Sequence, residues 1–386
     1  MEILDIFAHT DPKYGGVGPA AARLAMAVEE RSGWHSSLVA VCDRQETSRA
    51  ATIPCSVRTL KSNLLRPFRD IVTRHKLREY VRASTVCHVH GLWLPHTIAA
   101  RSLASRLGIP IVSSVHGMLE PWEIANKGTK KELYSRLFER RSLALSACLR
   151  ALSEQEAEDY RRYGLRNPIA LIPTGIGALS CGDPKPMLAR YREVAGKQVV
   201  LFISRVHYKK GVVNLVEAWP RVRELCPAAH LVIMGGDYEG ATGRIKQLST
   251  RLDCADSVTI TGPVNDELKN SALSLCDCFT LPSYSEGLSA AVLEALSVGV
   301  PVVITPKCNV GGVQEAGAGY VTSNRPAELA AALAACLNQS DDKRAAMREA
   351  ARNLVRERYD WSGIAGKMQE VYSWLTGGGK PACIID

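Results

Sequence analysis

Two glutamates separated by seven residues, Glu286 and Glu294, stand where an apolar run gives way to a glycine-containing turn. The segment reads Pro282-Ser283-Tyr284-Ser285-Glu286-Gly287-Leu288-Ser289, and an apolar helical pattern containing Glu294 follows it. A helix starting near Gly287 or Leu288 would present unpaired N–H groups and the positive end of its dipole, which suits an anion such as a diphosphate. Gly287 lets backbone approach a ligand closely. Glu286 can accept hydrogen bonds from sugar hydroxyls, and Glu294, about two turns on, can accept from a ribose diol. Charge-assisted contacts of this kind contribute about 1.5–3 kcal/mol each. Without its surroundings, such a pair reads better as a helix cap and a solvated helix residue. The preceding strand, the glycine and the apolar helix shift the balance toward a binding site.

A second polar segment, Ser204-Arg205-Val206-His207-Tyr208-Lys209-Lys210-Gly211, also directly follows an apolar run. Arg205 at the end of a strand and Lys210 five residues on can reach one phosphate group, the first as a fork and the second as a point charge. Together they would neutralise charge developing on a leaving diphosphate. By itself this segment is equally a solvated basic turn. His88 and His90 alternate with Val89 and point to one face of a strand. The sequence offers them no third metal ligand, so no metal is expected, and His90 reads as a strand-end histidine near a cleft. Trp93 and Trp122 could line an acceptor site or pack in the core. Gly15-Gly16-Val17-Gly18 is not G-x-G-x-x-G, and no acid follows at the offset that holds a nicotinamide ribose, which argues against a dehydrogenase.

The elements that must carry these loops alternate in type. Ile3–Ala8, Ser37–Val41, Val86–His90 and Ile111–Ser114 read as buried strands, with helices over Ala20–Glu30, Thr97–Leu107 and Lys131–Ser146. Further on, strands over Val199–Ser204, Ala229–Met234, Val258–Thr261, Cys278–Leu281 and Pro301–Ile304 alternate with helices. Those helices cover Val213–Leu225, Gly243–Leu252, Asp266–Leu275, Leu288–Val298 and Ala327–Leu337. Strand–helix alternation implies parallel sheets covered on both faces. The density of glycine and proline over Pro173–Pro186 marks a linker between two such domains, and a last helical pattern spans Ile364–Leu375. In open α/β sheets ligands bind beyond the carboxyl ends of the strands, where both polar segments fall.

Composition narrows the partners. With 46% apolar and 23% charged residues the chain of 386 residues reads as folded throughout. Its apolar runs are too short to span a bilayer, and the acidic start of the chain reads as a first strand rather than an export signal. Twelve cysteines without a C-x-x-C pair read as reduced core residues. Lys and Arg outnumber Asp and Glu by 25 to 17 over residues 1–180 and by 23 to 22 beyond, so +8 of the net charge of +9 sits in the first half. It concentrates in Arg58–Arg82 and Lys127–Arg141. An anionic membrane surface, an anionic acceptor or a solvated basic face would each account for it, whereas the absence of a nucleic-acid motif excludes that partner.

Arg205 and Lys210, followed by Glu286 and Glu294, resemble the retaining glycosyltransferases of the GT-B fold, family 4 in the usual sequence classification. The likeness extends to Gly15–Gly18 after the first strand, His116-Gly117, Ile172-Pro173-Thr174-Gly175-Ile176, Gly235-Gly236, and Trp361 with the closing helix. His116-Gly117-Met118-Leu119-Glu120-Pro121-Trp122 is similar to members that build bacterial surface polysaccharides. The chain departs from the family at Thr174 and Gly177, where Asn and Asp are common, and at Leu288-Ser289 in place of a Phe-Gly continuation. The resemblance implies two Rossmann-like domains facing each other across a cleft. Residues 1–175 would bind the acceptor, residues 186–361 the donor, and a helix about 362–376 would cross back to the first domain.

The implied reaction moves a sugar from a UDP- or GDP-sugar to a hydroxyl of a sugar or lipid-linked acceptor, with retention at the anomeric carbon and with no metal or other cofactor. The implied catalytic residues are His116, touching the transferred sugar, Arg205 and Lys210 on the diphosphate, and Glu286 on the sugar. Gly16, Gly262, Gly287, Leu288, Ser289 and Glu294 would complete the donor site, with His90 and Trp93 toward the acceptor. The setting would be cytoplasmic, at the inner face of the membrane where the basic half makes peripheral contact. A glycoside hydrolase using the two glutamates, and a non-catalytic nucleotide-sugar-binding protein, are the competing readings.

Overall fold

The apolar runs bounded by breakers form strands and the amphipathic stretches between them form helices. The computed structural model describes residues 1–9, 16–43, 57–62, 71–121, 134–177, 179 and 182–386. The first strands in chain order are β1 (Glu2–Phe7), β2 (His35–Asp43), β3 (Val57–Ser62), β4 (Val86–His90), β5 (Ile111–Ser114), β6 (Cys148–Ala151) and β7 (Ile169–Leu171). Then come β8 (Gln198–Ile203), β9 (Ala229–Met234), β10 (Val258–Gly262), β11 (Cys278–Leu281), β12 (Val302–Ile304), β13 (Gly319–Val321) and β14 (Ile384–Ile385). Two units result: Met1–Gly175 with Trp361–Asp386, and Ile176–Asp360.

In the first unit the sheet order is β14-β7-β6-β5-β4-β1-β2-β3. Its strands are parallel, except that β14 pairs antiparallel with β7. Strand order reverses between β1 and β4, so the loops beyond those two strands frame a crevice. The last helix, Trp361–Leu375, belongs to this unit. Its Ile364, Ala365, Met368, Val371 and Tyr372 share one apolar cluster with Leu24, Ala27 and Val28 of helix Val17–Ser32 and with Ile3, Val86 and Val112 of the sheet. That is the crossing-back the sequence implied. Helix Val17–Ser32 lies so close to the loop after β1 that a Cβ at Gly18 would stand 2.0 Å from the His9 carbonyl oxygen. Only glycine fits there.

In the second unit the order is β10-β9-β8-β11-β12-β13, all parallel. The whole of β9 is buried, as expected for a strand covered on both faces. Here the order reverses between β8 and β11, the two strands that end in the polar segments. Helix Ala290–Ser297 buries Val292, Leu293 and Leu296 behind the second of those loops. Each such side chain contributes roughly 1.5–3 kcal/mol. Side-chain caps set the helix starts: Asn265 accepts from the Leu268 N–H at 3.0 Å and Ser289 from the Val292 N–H at 3.5 Å.

Some elements differ from the sequence reading. The helix placed from Leu288 begins at Ala290, because Ser289 is extended (φ −78°, ψ 104°) and caps it, which leaves Gly287 and Leu288 in the loop. The helix placed over Lys131–Ser146 is a π-helical turn, Ser135–Glu139, running into a short α-helix, Arg140–Leu143; residues 131–133 lie outside the described residues. The basic stretch Arg58–Arg82 carries strand β3 and helix Ile71–Ala83. Nine of the ten described cysteines are buried, and all ten are free thiols. Among the described residues no helix is long and apolar enough to cross a membrane.

Candidate functional site

In each unit, residues singled out from the sequence lie in the loops at the reversal of that unit's own sheet. In the second unit, the loops after β8 and β11 are stitched together by main chain. The Tyr284 N–H donates to the Lys209 carbonyl at 2.8 Å, and the Ser283 hydroxyl donates to the same oxygen at 3.1 Å. Gly211 sits at φ +70°, and a Cβ there would lie 1.9 Å from the Pro282 carbonyl oxygen. The two loops therefore touch backbone to backbone. This contact brings Lys210 to Glu286, with Nζ 2.6 Å from Oε1 and both side chains 13% exposed. Asn309, left-handed at φ 57°, donates to the Glu286 carbonyl at 2.5 Å and the Gly287 carbonyl at 3.1 Å, which holds the loop from behind.

Glu294 has its own cation. Lys269 Nζ lies 3.2 Å from each of its carboxylate oxygens. Lys269 comes from helix Asp266–Leu275 and was not singled out from sequence, although it stands one turn beyond that helix's Asn265 cap. Arg205 is exposed and lies over the Tyr238 ring at 5.8 Å rather than against Lys210. His207 accepts from the Lys209 N–H at 3.2 Å, and its ring lies 4.4 Å from that of Tyr208, tilted by 44°. Burial pulls its imidazole below the usual range, and Arg205, Lys209 and Lys210 push the same way. Gly262 ends β10 at φ +72°, and its carbonyl accepts from the Gly235 N–H at 3.0 Å. Ser289 caps the helix, so the first-turn N–H groups ahead of Val292 have no acceptor within the helix. The arrangement is an anion-ready helix start beside two lysines, each already bonded to a glutamate.

In the first unit, His90 ends β4 and His116 follows β5. His90 is buried, with Nε2 2.9 Å from Asp5 Oδ1 and Nδ1 3.1 Å from His116 Nε2. His88 stacks on His90 at 4.0 Å, and its own nitrogens meet the Tyr372 hydroxyl at 2.7 Å and the Ser114 hydroxyl at 2.8 Å. Asp5 is the third ligand-type group that the histidine pair lacked in the sequence. All four ring nitrogens of His88 and His90 are nonetheless committed to hydrogen bonds, so the cluster is built as a polar network. Burial drives every member toward neutrality: Asp5 rises to about 8, His90 falls to about 3, and His88 and His116 fall well below the usual range.

His116 is partly exposed and left-handed at φ 55°, as is Trp93 at φ 66°. Strain of this kind at a strand end has to be held in place. Buried Arg101 does so for the first loop, donating to the Gly91 carbonyl at 3.0 Å while paired with Glu139 at 3.0 Å. Glu156 does so for the second, accepting from the Gly117 and Leu152 N–H groups at 2.6 Å each. Burial outweighs those bonds and pushes Glu156 up to about 7. Trp93 packs partly against the cluster of Leu92, Val115 and Leu119. Gly16 is exposed at the start of helix Val17–Ser32, with nothing within 4 Å of a Cβ. Trp122 and Gly15 lie outside the described residues.

Residues 187–354 match the family described as Glycosyl transferases group 1, and residues 15–175 match the Glycosyl transferase 4-like domain. The chain is 29% identical over 301 residues to a glycogen synthase of Mycobacterium tuberculosis, covering 74% of this chain and 68% of the relative. It is 32% identical over 192 residues to a GDP-mannose-dependent alpha-(1-6)-phosphatidylinositol monomannoside mannosyltransferase of the same organism, covering 47% of this chain and 48% of that one. Its fold matches the crystal structure of Anabaena HepE in complex with UDP and glucose, with TM-score 0.71 and 20% identity over 97% of this chain and all of the other.

Proposed function

Since the chain belongs to the group 1 glycosyl transferases and has their two parallel-sheet α/β units, we propose that it moves a sugar from a nucleoside-diphosphate sugar to an acceptor hydroxyl with retention. The reading is carried by the Lys210–Glu286 pair at 2.6 Å, set beside a capped helix start at the sheet reversal of the second unit. Lys210 and Arg205 take the diphosphate, assisted by the first-turn N–H groups after Gly287, Leu288 and Ser289. Glu286 accepts from sugar hydroxyls, Glu294 from the ribose, and the Gly262 backbone lies beside the base. Gly16 and the partly exposed His116 serve the donor from the first unit, and Trp93 faces the acceptor.

In this scheme the leaving diphosphate departs from the face that the acceptor hydroxyl attacks. Its freed phosphate oxygen takes the acceptor proton, so no carboxylate acts as nucleophile. The protein supplies position and charge. A hydrolase reading fits less well, because each glutamate is tied to a lysine and both come from one loop–helix segment. Two cations and a helix start do the work that a metal does elsewhere. The donor is a UDP- or GDP-sugar, the latter used by the mannosyltransferase relative by its name. The acceptor is a sugar or lipid-linked, in polysaccharide or glycoconjugate synthesis on the cytoplasmic side of the membrane. Peripheral contact with anionic lipid is supported by a groove lined by Arg140, Arg141 and Arg166, on a segment that exposes Phe138 and Leu145.

A thermal-shift panel of UDP, GDP, ADP and their sugars tests the donor, since a bound ligand raises stability by mass action. One nucleotide series should shift the melting point selectively, and transfer from that donor should persist in excess EDTA with the anomeric configuration kept. No shift with any nucleotide sugar would refute the reading. Inverted product, or strict dependence on Mg²⁺ or Mn²⁺, would refute the corresponding part.

A further inference from the structure

Three polar groups form a chain in the first unit: Asp5 Oδ1 to His90 Nε2 at 2.9 Å, and His90 Nδ1 to His116 Nε2 at 3.1 Å. Only its last member is partly exposed. Its remaining ring nitrogen, Nδ1, is the one the chain does not use. His116 thus rests on two buried residues, and His90, expected from the sequence toward the acceptor, is enclosed in the sheet instead. The base of the chain is held firmly. Asp5 and His88 are register partners on adjacent strands, His88 stacks on His90, and Tyr372 anchors His88 from the last helix.

A neutral His90 has one N–H and two partners, so the chain must run in one direction. If Asp5 holds a proton, it donates to His90 Nε2, His90 Nδ1–H donates to His116 Nε2, and His116 Nδ1 carries the remaining hydrogen. If Asp5 is a carboxylate it can only accept, and every bond reverses. His116 then bonds through Nε2–H and keeps Nδ1 as a bare acceptor. The Asp5 proton passes to His90 Nε2, the His90 Nδ1 hydrogen passes to His116 Nε2, and the proton lost to solvent is the one on His116 Nδ1. We propose that Asp5 and His90 are positioning residues that fix the tautomer of His116, and so decide whether its Nδ1 donates to or accepts from a substrate hydroxyl. The catalytic consequence rests on the reading of His116 as a sugar contact; the hydrogen-bond chain does not.

The groups facing Asp5 are Cys87, His88 and His90 from β4, Arg150 from β6 and Tyr372 from the last helix. Burial is the largest influence on Asp5 and favours its neutral form, against the opposing charge of Arg150. At neutral pH the chain therefore runs outward and His116 Nδ1 is a donor.

The test is long-range ¹⁵N–¹H correlation NMR on the full chain labelled at histidine, with the His116 signals assigned from H116N. In the wild type, His116 should be Nδ1-protonated near neutral pH and convert to the Nε2–H form as the pH passes about 8. Asn in D5N cannot ionise, so the His116 tautomer should no longer change with pH near 8. H90Q loses the group at Nδ1, and His116 should become a tautomer mixture. H90N keeps an amide beside His116 Nε2 but loses the bond to Asp5, so its His116 should not change tautomer as the pH passes about 8. An unchanged tautomer and pH response of His116 in folded D5N and H90Q would overturn the proposal. In transfer assays, kcat of H90Q should fall on the order of tenfold with the donor KM unchanged, and H90N, which keeps a partner for His116 Nε2, should fall less. Wild-type kcat in H90Q would overturn the catalytic consequence. A wild type that transfers no sugar from any donor would sink the reading of function, and the NMR result would still decide the chain.

Discussion

Replacing Glu286 by Ala tests the donor half-site most directly. The carboxylate has two jobs in the proposed reading: it accepts from the sugar, and it holds Lys210 at 2.6 Å. Losing one charge-assisted hydrogen bond costs about 1.5–3 kcal/mol. At about 1.36 kcal/mol per tenfold, that is a loss of about 10- to 160-fold in kcat/KM. The stability cost is bounded from both sides. Each partner is 13% exposed, so the pair lies between a surface bridge, worth up to about 1 kcal/mol, and a buried one, whose breakage costs about 3–5 kcal/mol. About 1–3 kcal/mol in a unit of this size lowers the melting point by several degrees and leaves the fold intact.

Steady-state transfer and thermal unfolding, measured on E286A, K210A and the double variant, separate the two jobs. If Glu286 only held Lys210, the double variant would be no slower than K210A. A direct contact to the sugar makes it slower again, by roughly tenfold or more. E286A with wild-type kcat/KM, in folded protein, would refute the assignment of Glu286 altogether. K210A with wild-type kcat/KM would remove the lysine from the diphosphate site.

Two further outcomes follow from burial and charge. Glu156 has its folded pKa raised to about 7 by burial, above its unfolded value, so the folded state holds the extra proton. Stability should fall as the pH rises from the ordinary carboxylate range through about 7, and denaturant titrations of E156Q should lose that part of the slope; an identical slope in E156Q would refute the account. The groove of Arg140, Arg141 and Arg166 should make the protein cosediment with anionic but not neutral liposomes, less so at high salt, and equal binding to both, or none, would refute membrane contact.

The alternation of strands and helices, the two parallel sheets and the loops that carry the glutamates and the basic residues are all legible in the sequence. The signals are local: apolar runs of strand length, breakers at their ends, and polar residues immediately beyond. Lys269 and Asn309 are not legible, because their roles depend on how helix Asp266–Leu275 and the turn after β12 approach the loop after β11. Nothing within a few residues of either one states that approach. Asp5 is an intermediate case. An acid inside Ile3-Leu4-Asp5-Ile6-Phe7 is conspicuous in a buried strand, where an unpaired carboxylate would be costly. Its partner His90 follows from sheet order, since β1 pairs with β4 across a gap of some eighty residues. Gly18 shows the same limit among the glycines of the first loop. The sequence reading singled out Gly16, yet Gly18 is the one forced by the His9 carbonyl, while a Cβ at Gly16 would meet nothing within 4 Å.

The pairing of each donor-site glutamate with a lysine bears on how a nucleotide sugar could be held without great loss of protein stability. Four isolated charges would each need water, and each would lose it on binding. Paired as Lys210–Glu286 and Lys269–Glu294, they are already oriented and partly desolvated. In the proposed reading, a diphosphate approaching the first pair would give Lys210 a second anion, while its sugar hydroxyls would give Glu286 new donors. The ribose would do the same for Glu294. The ligand thus adds partners to a preset charge pattern, and little reorganisation opposes binding. The same logic explains why the polar chain of the first unit is neutral. In the proposed reading His116 presents one defined nitrogen to a hydroxyl, a matter of tautomer rather than net charge, and a buried chain ending at partly exposed His116 would serve that end.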